Sequence, residues 1–274
     1  MKITPILKWA GGKTQILDEL RSRLPKQFNT YFEPFIGGGA LLFSLLPSSA
    51  IINDINNELI NVYNCVKNKE TYHKLLAELD KHQENHDESY YYHIRGLDRH
   101  SSYHDMNDYE RAARIIYLNK TCFCGLYRVN SRGYFNVPIG SKKKKNLYVL
   151  ENIQGMHEYL SSNNIEILNK DYTKAVEKAK AGDFVYFDPP YDYEGTGFTS
   201  YTASGFSKED QTKLYMLFKE LSDRGVYVML SNNNTAFIRD LYKDYNIDIV
   251  KAKRVINSDA SNRGDVEEVI ITNY

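Results

Sequence analysis

The chain has 274 residues, and its 35 Lys or Arg residues balance 35 Asp or Glu residues. This length suits one large domain, or one domain that carries an insertion. Because the formal charge is zero, overall charge does not predict a nucleic-acid partner, which would have to bind a local basic patch. The sequence has no signal-peptide stretch and no window near the roughly 20 apolar residues of a membrane span. We therefore expect a cytoplasmic protein without a membrane partner.

The three cysteines, Cys65, Cys122 and Cys124, indicate a reducing compartment. Their number is odd, and the chain is too long to need disulfides for stability. No further Cys or His residues stand at zinc-ligand spacing around Cys122 and Cys124. We expect partly buried free thiols and no metal.

Short apolar runs rich in β-branched and aromatic residues predict strands along the chain. They span residues 30–35, 50–53, 165–168, 184–187 and 226–230. Helical spacing predicts amphipathic helices over 15–24 and 208–221, the second with a start signal at Ser207 and Asp210. This alternation is typical of a parallel α/β sheet. Two last runs, 247–255 and 268–274, are joined by a polar loop and predict a hairpin that makes one sheet edge antiparallel.

The middle of the chain, about residues 62–150, is polar, tyrosine-rich and helical in places. Between residues 111 and 145 there are nine Lys or Arg and no Asp or Glu, interleaved with aromatic residues. This mixture suits a groove that binds phosphates and stacks bases. A solvated charged face explains the lysine run 142–145 equally well, but it explains the aromatic residues and the missing acids less well.

Three glycines, Gly37, Gly38 and Gly39, follow the first predicted strand and precede an apolar helix start. Such turns let backbone N–H groups approach a ligand, although the motif alone is weak. Asp54 ends the next predicted strand, where it would either accept hydrogen bonds from ribose hydroxyls or cap the following helix. The strict G-x-G-x-x-G spacing is absent, which disfavours a nicotinamide cofactor.

The stretch around Trp9 resembles a phosphate-binding loop only at its end. Gly12-Lys13-Thr14 matches, but Leu7 stands where that loop requires glycine, so we reject this interpretation. Trp9, beside glycines and a lysine, would instead line a pocket for a flat or cationic ligand.

Asp188-Pro189-Pro190-Tyr191 directly follows the predicted strand 184–187. An exocyclic amine of a nucleobase is a poor nucleophile, and two acceptors aimed at its hydrogens would draw the lone pair back onto nitrogen. Asp188 offers a carboxylate, Pro189 offers a carbonyl that the two prolines hold still, and Tyr191 offers a ring for stacking. A rigid turn is the alternative, but the coincidence with a glycine-rich turn favours a site.

Together these motifs resemble the Dam-type DNA adenine-N6 methyltransferases, and the resemblance spans nearly the whole chain. The matching stretches, in the order typical of this group, are Lys8-Trp9-Ala10-Gly11-Gly12-Lys13, Tyr31 to Gly39, Asn53-Asp54, Gly125-Leu126-Tyr127-Arg128, Phe135-Asn136-Val137-Pro138 and Asp188-Pro189-Pro190-Tyr191.

The resemblance implies a Rossmann-like α/β fold with a seven-stranded sheet that binds S-adenosyl-L-methionine. Residues 1–61 and 151–274 would form the catalytic domain, and 62–150 an inserted, mainly helical DNA-recognition domain. The implied cofactor-binding residues are Trp9, Ala10, Gly11, Lys13, Phe35, Gly37, Gly38, Gly39, Asp54, Ile55, Asp171, Tyr172 and Asp188.

The implied reaction methylates N6 of an adenine that is flipped out of double-stranded DNA and held by Asp188 to Tyr191, giving S-adenosyl-L-homocysteine without a metal. The implied DNA-binding residues are Lys8, Arg95, Asn119, Phe123, Cys124, Leu126, Arg128, Asn136 and Pro138. Within this set the matches place Arg128 and Lys8 at guanines and Leu126 and Pro138 near thymine, which supports GATC.

One departure concerns Cys124, which stands where the family often has asparagine and is a weaker partner for the orphaned thymine. The resemblance also implies a monomer in solution, with an accompanying restriction endonuclease as a partner to test for. Residues 198–201 with Gly205 and Phe206, hinged at Gly195 and Gly197, would be either a closing loop or an ordinary surface loop.

Two other functions compete with this interpretation. One is an enzyme of the same class that methylates an amide or amine in protein or RNA, which would not need the acid-free basic segment. The other is a DNA-binding module without chemistry, against which the intact Asp188, Gly37, Gly39 and Asp54 argue.

Overall fold

The structure is a computed structural model that describes residues 3–9, 11–140, 146–193, 206–253 and 265–274. Several predicted features lie outside these ranges. They are Ala10, the lysine run 142–145, the loop residues 195–205 and most of the polar loop between the last two predicted strands.

A single seven-stranded sheet has the order β3-β2-β1-β4-β5-β7-β6. Its strands are β1 (Tyr31–Glu33), β2 (Ser49–Asn53), β3 (Asn164–Leu168), β4 (Phe184–Phe187), β5 (Tyr227–Asn233), β6 (Asn246–Lys253) and β7 (Asp265–Thr272). β1 pairs in parallel with β2 and β4, and β4 pairs in parallel with β5. β7 runs antiparallel to both β5 and β6. The α/β class, the predicted strands and the antiparallel edge are thereby confirmed.

The described helices are α1 (Leu17–Ser22), α2 (Ala40–Leu45), α3 (Asn57–Lys67), α4 (Lys69–Glu84), α5 (Glu88–Gly96), α6 (Asp108–Thr121), α7 (Leu150–Ser162), α8 (Tyr172–Ala175), α9 (Lys208–Asp223) and α10 (Ala236–Leu241). α1 is shorter than the predicted helix 15–24, because a 3-10 turn at Lys13–Gln15 precedes it. α9 begins as predicted, since Ser207 and Asp210 form a capping box.

The chain divides into two compact units. The first comprises Met1–Gly12, Gly37–Leu46 and Asp54–Asn169, and it contains α3, α4 and α6, which pack on one another. The second comprises Lys13–Ile36, Pro47–Asn53 and Lys170–Tyr274. Its core joins apolar side chains of β1, β4, β5 and β7 to Leu214, Phe218 and Leu221 of α9. Burying side chains of this size contributes roughly 1.5–3 kcal/mol each.

The three cysteines are free thiols, as predicted, with Cys65 and Cys122 buried and Cys124 exposed. Burial raises the pKa of Cys65 and of Cys122 to about 11, so both remain protonated thiols at neutral pH.

The described helices include none that is both long and apolar enough to cross a membrane. Over the same residues, no cluster of three or more His, Cys, Asp or Glu side chains is arranged to hold a metal ion.

Candidate active site

Asp188 directly follows β4, at the sheet edge where α/β proteins usually bind ligands. The register pairs Phe187 of β4 with Leu230 of β5, which makes Asp188 and Ser231 neighbours. Ser231 Oγ donates a 3.0 Å hydrogen bond to Asp188 Oδ1. The Lys13 ammonium lies 2.6 Å from the same oxygen. Two donors from distant parts of the sequence thus hold one oxygen of the predicted catalytic carboxylate.

The Asp188 carboxylate is largely withdrawn from solvent. The Lys13 side chain is 6% exposed and that of Asp188 is 18% exposed. Burial raises the pKa of Asp188, while the Lys13 ammonium and the Ser231 hydroxyl oppose that rise. Behind Ser231, its Oγ lies 2.9 Å from the buried hydroxyl of Tyr186. The charge of Asp188 therefore depends on a small set of buried partners.

The turn after Asp188 is held by amide side chains at Pro190 and Asp192. Gln211 Nε2 donates to the Pro190 carbonyl at 2.9 Å, and Asn232 Nδ2 donates to Gln211 Oε1 at 3.1 Å. Asn232 Oδ1 accepts the backbone N–H of Asp192 at 2.9 Å, so both ends of the turn are fixed. Among the hydrogen bonds of the described residues, none ends on the Pro189 carbonyl. That oxygen keeps its predicted capacity as an acceptor.

Tyr191 is anchored at its hydroxyl, which donates to Glu268 Oε2 at 2.9 Å. The Lys13 ammonium lies 4.6 Å from the centre of its ring. Burial raises the pKa of Tyr191 well above its ordinary value, so the phenol stays a neutral donor. An anchored aromatic face of this kind can stack a base or attract a cation.

Four of these supporting residues are not among those that the sequence analysis singles out: Ser231, Asn232, Gln211 and Glu268. A signal existed for two of them, because a run of four polar residues, 231–234, follows the predicted strand 226–230. Parallel strands end at the same sheet edge, so this run belongs beside Asp188. Gln211 and Glu268 reach the site only through the packing of α9 and β7, which no local pattern reveals.

The glycine-rich turn of the first unit is closely packed. Gly37 and Gly39 have φ angles of 47° and 73°, which favour glycine. A Cβ on Gly37 would lie 2.9 Å from Trp9 Cδ1, and one on Gly39 would lie 2.8 Å from Tyr63 Oη. Gly38 is also confined, since its Cβ would meet the Leu7 carbonyl oxygen at 3.3 Å. Larger residues would fill this turn or displace its aromatic neighbours.

Asp54 supports the same turn. Its Oδ2 accepts the backbone N–H of Gly37 at 3.1 Å, and its Oδ1 accepts that of Asn56 at 2.9 Å. Burial raises the pKa of Asp54 to about 6, against the lowering effect of these N–H groups. The cap of α3 is Asn56, which accepts from Leu59 N, so the capping alternative for Asp54 is wrong. The neighbouring Ile55 is 61% exposed.

The remaining predicted cofactor residues fall in both units. In the first unit, Trp9 stacks on Tyr127 with ring centres 4.9 Å apart, and Gly11 has a φ of 76°. In the second, Phe35 and Tyr172 have ring centres 5.1 Å apart. Asp171 caps α8 by accepting the Thr173 N–H at 3.0 Å. Aromatic faces therefore accompany the predicted cofactor residues in each unit.

Asn119, predicted to bind DNA, is only 2% exposed and holds the backbone of Lys8, another predicted DNA-binding residue, and of Gly125. Its amide exchanges two hydrogen bonds of 2.8 Å with Lys8, through Lys8 N and Lys8 O, and it donates to Gly125 O at 3.0 Å. Gly125 has a φ of 69°, and a Cβ there would lie 2.6 Å from Lys8 Cδ. Asn119 would therefore affect DNA binding by holding these neighbours in place, not by contacting DNA.

Phe123 and Cys124 form an exposed tip. Phe123 is 55% exposed, which is unusual for so large an apolar side chain. Cys124 has a φ of 57°, a left-handed conformation that costs a non-glycine residue energy. The Phe123 N–H donates to the Pro138 carbonyl at 2.9 Å, and the Leu126 N–H donates to Phe123 O at 3.3 Å. These bonds place four predicted DNA-binding residues in one segment of the first unit.

Arg128 is exposed and is held by Asn136, also predicted to bind DNA. Arg128 Nε donates to Asn136 Oδ1 at 2.7 Å, and the Asn136 N–H donates to Arg128 O at 3.1 Å. The next residue, Val137, is tied down because its carbonyl accepts from Tyr91 Oη at 2.9 Å and from Arg95 Nη1 at 3.3 Å. The predicted guanine-reading arginine therefore stands on a segment fixed to α5.

The basic segment is less basic in space than its sequence indicates. Arg111 pairs with Asp108 at 2.7 Å and with Glu58 at 3.5 Å. Arg114 is 2% exposed and lies 2.9 Å from the carboxylate of Asp98. These acidic residues lie outside the segment. Basic side chains between residues 111 and 145 can therefore have acidic partners although the segment itself contains no acid.

Comparisons with known proteins show which family this chain belongs to. Residues 9–256 match the family described as D12 class N6 adenine-specific DNA methyltransferase. Type II methyltransferase M1.LlaDCHI of Lactococcus lactis subsp. cremoris is 46% identical, over 100% of this chain and 96% of that protein. Type II methyltransferase M.MjaIII of Methanocaldococcus jannaschii is 40% identical over 100% of both chains. The DNA adenine methylase of Serratia marcescens is 35% identical over 96% of both chains. The chain therefore belongs to the D12 class N6 adenine-specific DNA methyltransferases, and it is an adenine-specific DNA methyltransferase.

Proposed function

We propose that this enzyme transfers a methyl group from S-adenosyl-L-methionine to N6 of an adenine flipped out of double-stranded DNA, with GATC as its target. The observation that carries the proposal is the surroundings of Asp188. Its carboxylate is mostly buried, and the hydrogen bond and ion pair from the described side chains both end on Oδ1. Oδ2 is then the oxygen that accepts a hydrogen from the target amine.

The residues after Asp188 complete the proposed amine site. Gln211 occupies the Pro190 carbonyl, which leaves the Pro189 carbonyl as the second acceptor. Two acceptors on the two amine hydrogens localise the nitrogen lone pair, and the anchored Tyr191 ring stacks the base. Holding the amine in this orientation contributes much of the catalysis.

In each unit taken by itself, the residues predicted for S-adenosyl-L-methionine offer groups that this ligand can contact. Gly37 and Gly39 carry no side chains, which lets the first-unit turn pack closely against Tyr63 and Trp9, and Trp9 offers an aromatic ring beside it. Asp54 retains acceptor capacity for ribose hydroxyls, because a carboxylate has about four lone-pair sites and two are used by N–H groups. Phe35 and Tyr172 supply apolar rings in the second unit. When bound, the cofactor supplies an electrophilic methyl group.

Target recognition is proposed for the segment that carries Phe123, Leu126, Arg128 and Pro138. An adenine must leave the duplex to reach Asp188, at a cost of a few kcal/mol. The exposed Phe123 ring would fill the space that the base vacates. Arg128 would bond O6 and N7 of guanine, while Leu126 and Pro138 would contact the thymine methyl group.

The names of two relatives support a proposal for the cellular role. Both are named type II methyltransferases, so we propose that this enzyme protects DNA from an accompanying restriction endonuclease. We also propose a monomer in the cytoplasm, with residues 62–150 as the inserted recognition domain.

The test is transfer of radiolabel from S-adenosyl-L-methionine to two duplexes that differ only at the adenine of one GATC site. We expect N6-methyladenine only in the intact duplex. Label in both duplexes would refute GATC, and a protein that binds the cofactor but labels neither would refute the proposed substrate.

A further inference from the structure

We propose that Ser231, oriented by Tyr186, is a positioning residue that fixes the Asp188 carboxylate and keeps Oδ2 for the target amine. This inference rests on the proposed function, because it assumes that the amine binds Asp188. It goes further by assigning a task to two hydroxyl groups outside the Asp-Pro-Pro-Tyr motif.

The three groups form a directional series of hydrogen bonds. Ser231 Oγ donates to Asp188 Oδ1 at 3.0 Å, and a hydroxyl has one hydrogen to donate. The Tyr186 hydroxyl, 2.9 Å from the same Oγ, must then be the donor of the second bond. Tyr186 is 1% exposed and Ser231 is 0% exposed, so water does not compete for these bonds. Burial also raises the pKa of Tyr186 well above its ordinary value, which preserves its hydrogen.

Ser231 and Lys13 bind the same oxygen but constrain it differently. The Lys13 ammonium is a compact charge at the end of a long stem, so its three donors fix the direction of a hydrogen bond less strictly than a hydroxyl on a short side chain does. Ser231 stands on β5, paired in register with β4, so its short side chain is fixed relative to Asp188. Lys13 thus supplies a positive charge, whereas Ser231 supplies a hydrogen bond of fixed direction. Without that direction the carboxylate could rotate and present either oxygen.

The proposal has a consequence for pH dependence. A hydrogen bond to the charged form of a carboxyl stabilises that form, so losing the Ser231 donor should raise the pKa of Asp188. Four described groups face Asp188, namely Lys13, Tyr186, Tyr191 and Ser231. Tyr186 is in turn influenced by the carboxyls of Glu33 and Glu268. Ser231→Ala removes one donor and leaves these charged groups unchanged.

The experiment compares Ser231→Ala, Tyr186→Phe and a matched control, Tyr242→Phe. Tyr242 is 0% exposed, and its hydroxyl has no hydrogen-bond partner among the described residues. For each protein, kcat and KM are measured with a GATC duplex from about pH 5 to pH 9. The titration of aspartate carboxyl carbons is followed by NMR in the free protein, with Asp188→Asn assigning the resonance.

We expect Ser231→Ala to lower kcat about tenfold. It should also move the acidic side of the profile of kcat against pH, and the NMR titration of Asp188, upward by about one pH unit. Tyr186→Phe should move them in the same direction by less, and Tyr242→Phe should move neither. KM should change little in all three. Thermal unfolding checks folding, and Tyr186→Phe carries the test if Ser231→Ala does not fold.

The positioning role alone would be overturned if the wild-type enzyme is active and both Ser231→Ala and Tyr186→Phe keep its pH profile and its Asp188 titration. A wild-type enzyme that methylates no adenine would instead overturn the proposed function. A fall in kcat with unmoved titration would mean that the hydroxyls act only through packing, which also overturns the proposal.

Discussion

At the scale of single residues, the ion pair of Lys13 and Asp188 links the stability of the protein to its proposed chemistry. Both side chains are mostly buried, so removing one partner leaves a charge that is poorly hydrated. Loss of a buried partner typically costs roughly 3–5 kcal/mol, much more than loss of an exposed one. Asp188→Asn keeps the shape of the side chain but also removes its charge, so its thermal unfolding is measured beside its activity.

Asp188→Asn should reduce methyl transfer by about 100-fold or more, because the amide presents a weaker acceptor to the target amine. DNA binding should remain within a few-fold of wild type. Single-turnover rates and DNA affinity measure the two effects separately. Asp223→Asn, at the exposed end of α9, serves as the control and should be neutral. Turnover of Asp188→Asn within tenfold of wild type would defeat the proposed amine site.

The pKa of Asp54, raised to about 6 by burial, predicts a pH dependence of cofactor binding. Below pH 6 the folded protein holds a proton there, and the neutral carboxyl is a poorer acceptor for ribose hydroxyls. The Kd for S-adenosyl-L-methionine should therefore rise about tenfold per pH unit below 6. Calorimetry from about pH 5 to pH 8 measures it. Asp54→Asn should bind the cofactor more weakly, but its Kd should no longer depend on pH in this way. If its Kd keeps the wild-type slope against pH, the dependence belongs to another group.

The effect on stability has the opposite sign. The folded-state pKa of Asp54 lies above the ordinary value of 3.8. The folded protein therefore binds this proton more readily than the unfolded chain, and the contribution of Asp54 to the free energy of unfolding falls as pH rises from 3.8 to 6. Weak cofactor binding at pH 5 would thus not reflect unfolding caused by Asp54.

At the scale of elements, the segment from Arg128 to Pro138 has one anchored side and one exposed side. The Phe135 N–H donates to Asp98 Oδ2 at 2.7 Å, and Arg99 Nη2 donates to Phe135 O at 2.8 Å. These bonds fix the backbone of the residue before Asn136, whose side chain holds Arg128 Nε. A guanidinium held at Nε keeps its two terminal nitrogens for a bidentate contact.

Arg128→Ala should lose discrimination at one guanine, worth roughly 1–3 kcal/mol. Asn136→Ala should lose part of it at the same base pair, because the guanidinium is no longer oriented. Arg132→Ala, at an exposed position of the same segment, is the control and should weaken binding equally for all sequences. Affinities for duplexes substituted at each position of GATC measure the three variants. Unchanged discrimination in Arg128→Ala would remove Arg128 from base recognition.

The strands could be predicted from the sequence because each is an apolar run with its own boundary. Phe184 to Phe187 is buried at every position and needed no tertiary information. α1 is harder to predict, since a 3-10 turn at Lys13–Gln15 interrupts the helical spacing and the buried Ile16 is the N-cap, just outside the helix. The side chains that hold the turn after Asp188 could not all be predicted. Gln211 and Glu268 act there because α9 and β7 return to β4, and such long-range packing leaves no local signal.

At the scale of the whole molecule, the zero net charge means that attraction to DNA must come from a few local groups. The basic segment of the sequence is partly neutralised in the fold, since Arg111 and Arg114 are paired with acids. Among its described residues, Arg128 and Arg132 remain exposed. The lysine run 142–145 lies outside the described residues, and it holds four of the nine basic residues of the segment.

Replacing these four lysines with Gln should therefore weaken binding to all DNA sequences alike while leaving the preference for GATC unchanged. Each phosphate contact contributes about 0.9 to the slope of log K against log salt, so the slope should fall by roughly 3 to 4 if all four bind phosphates. Binding titrations between about 50 and 200 mM salt measure it. The control for lost positive charge is a variant with Gln in place of three exposed lysines of α9, Lys208, Lys213 and Lys219. An unchanged slope would mean that the run is a solvated charged face, and that Arg128 and its neighbours alone attract the DNA.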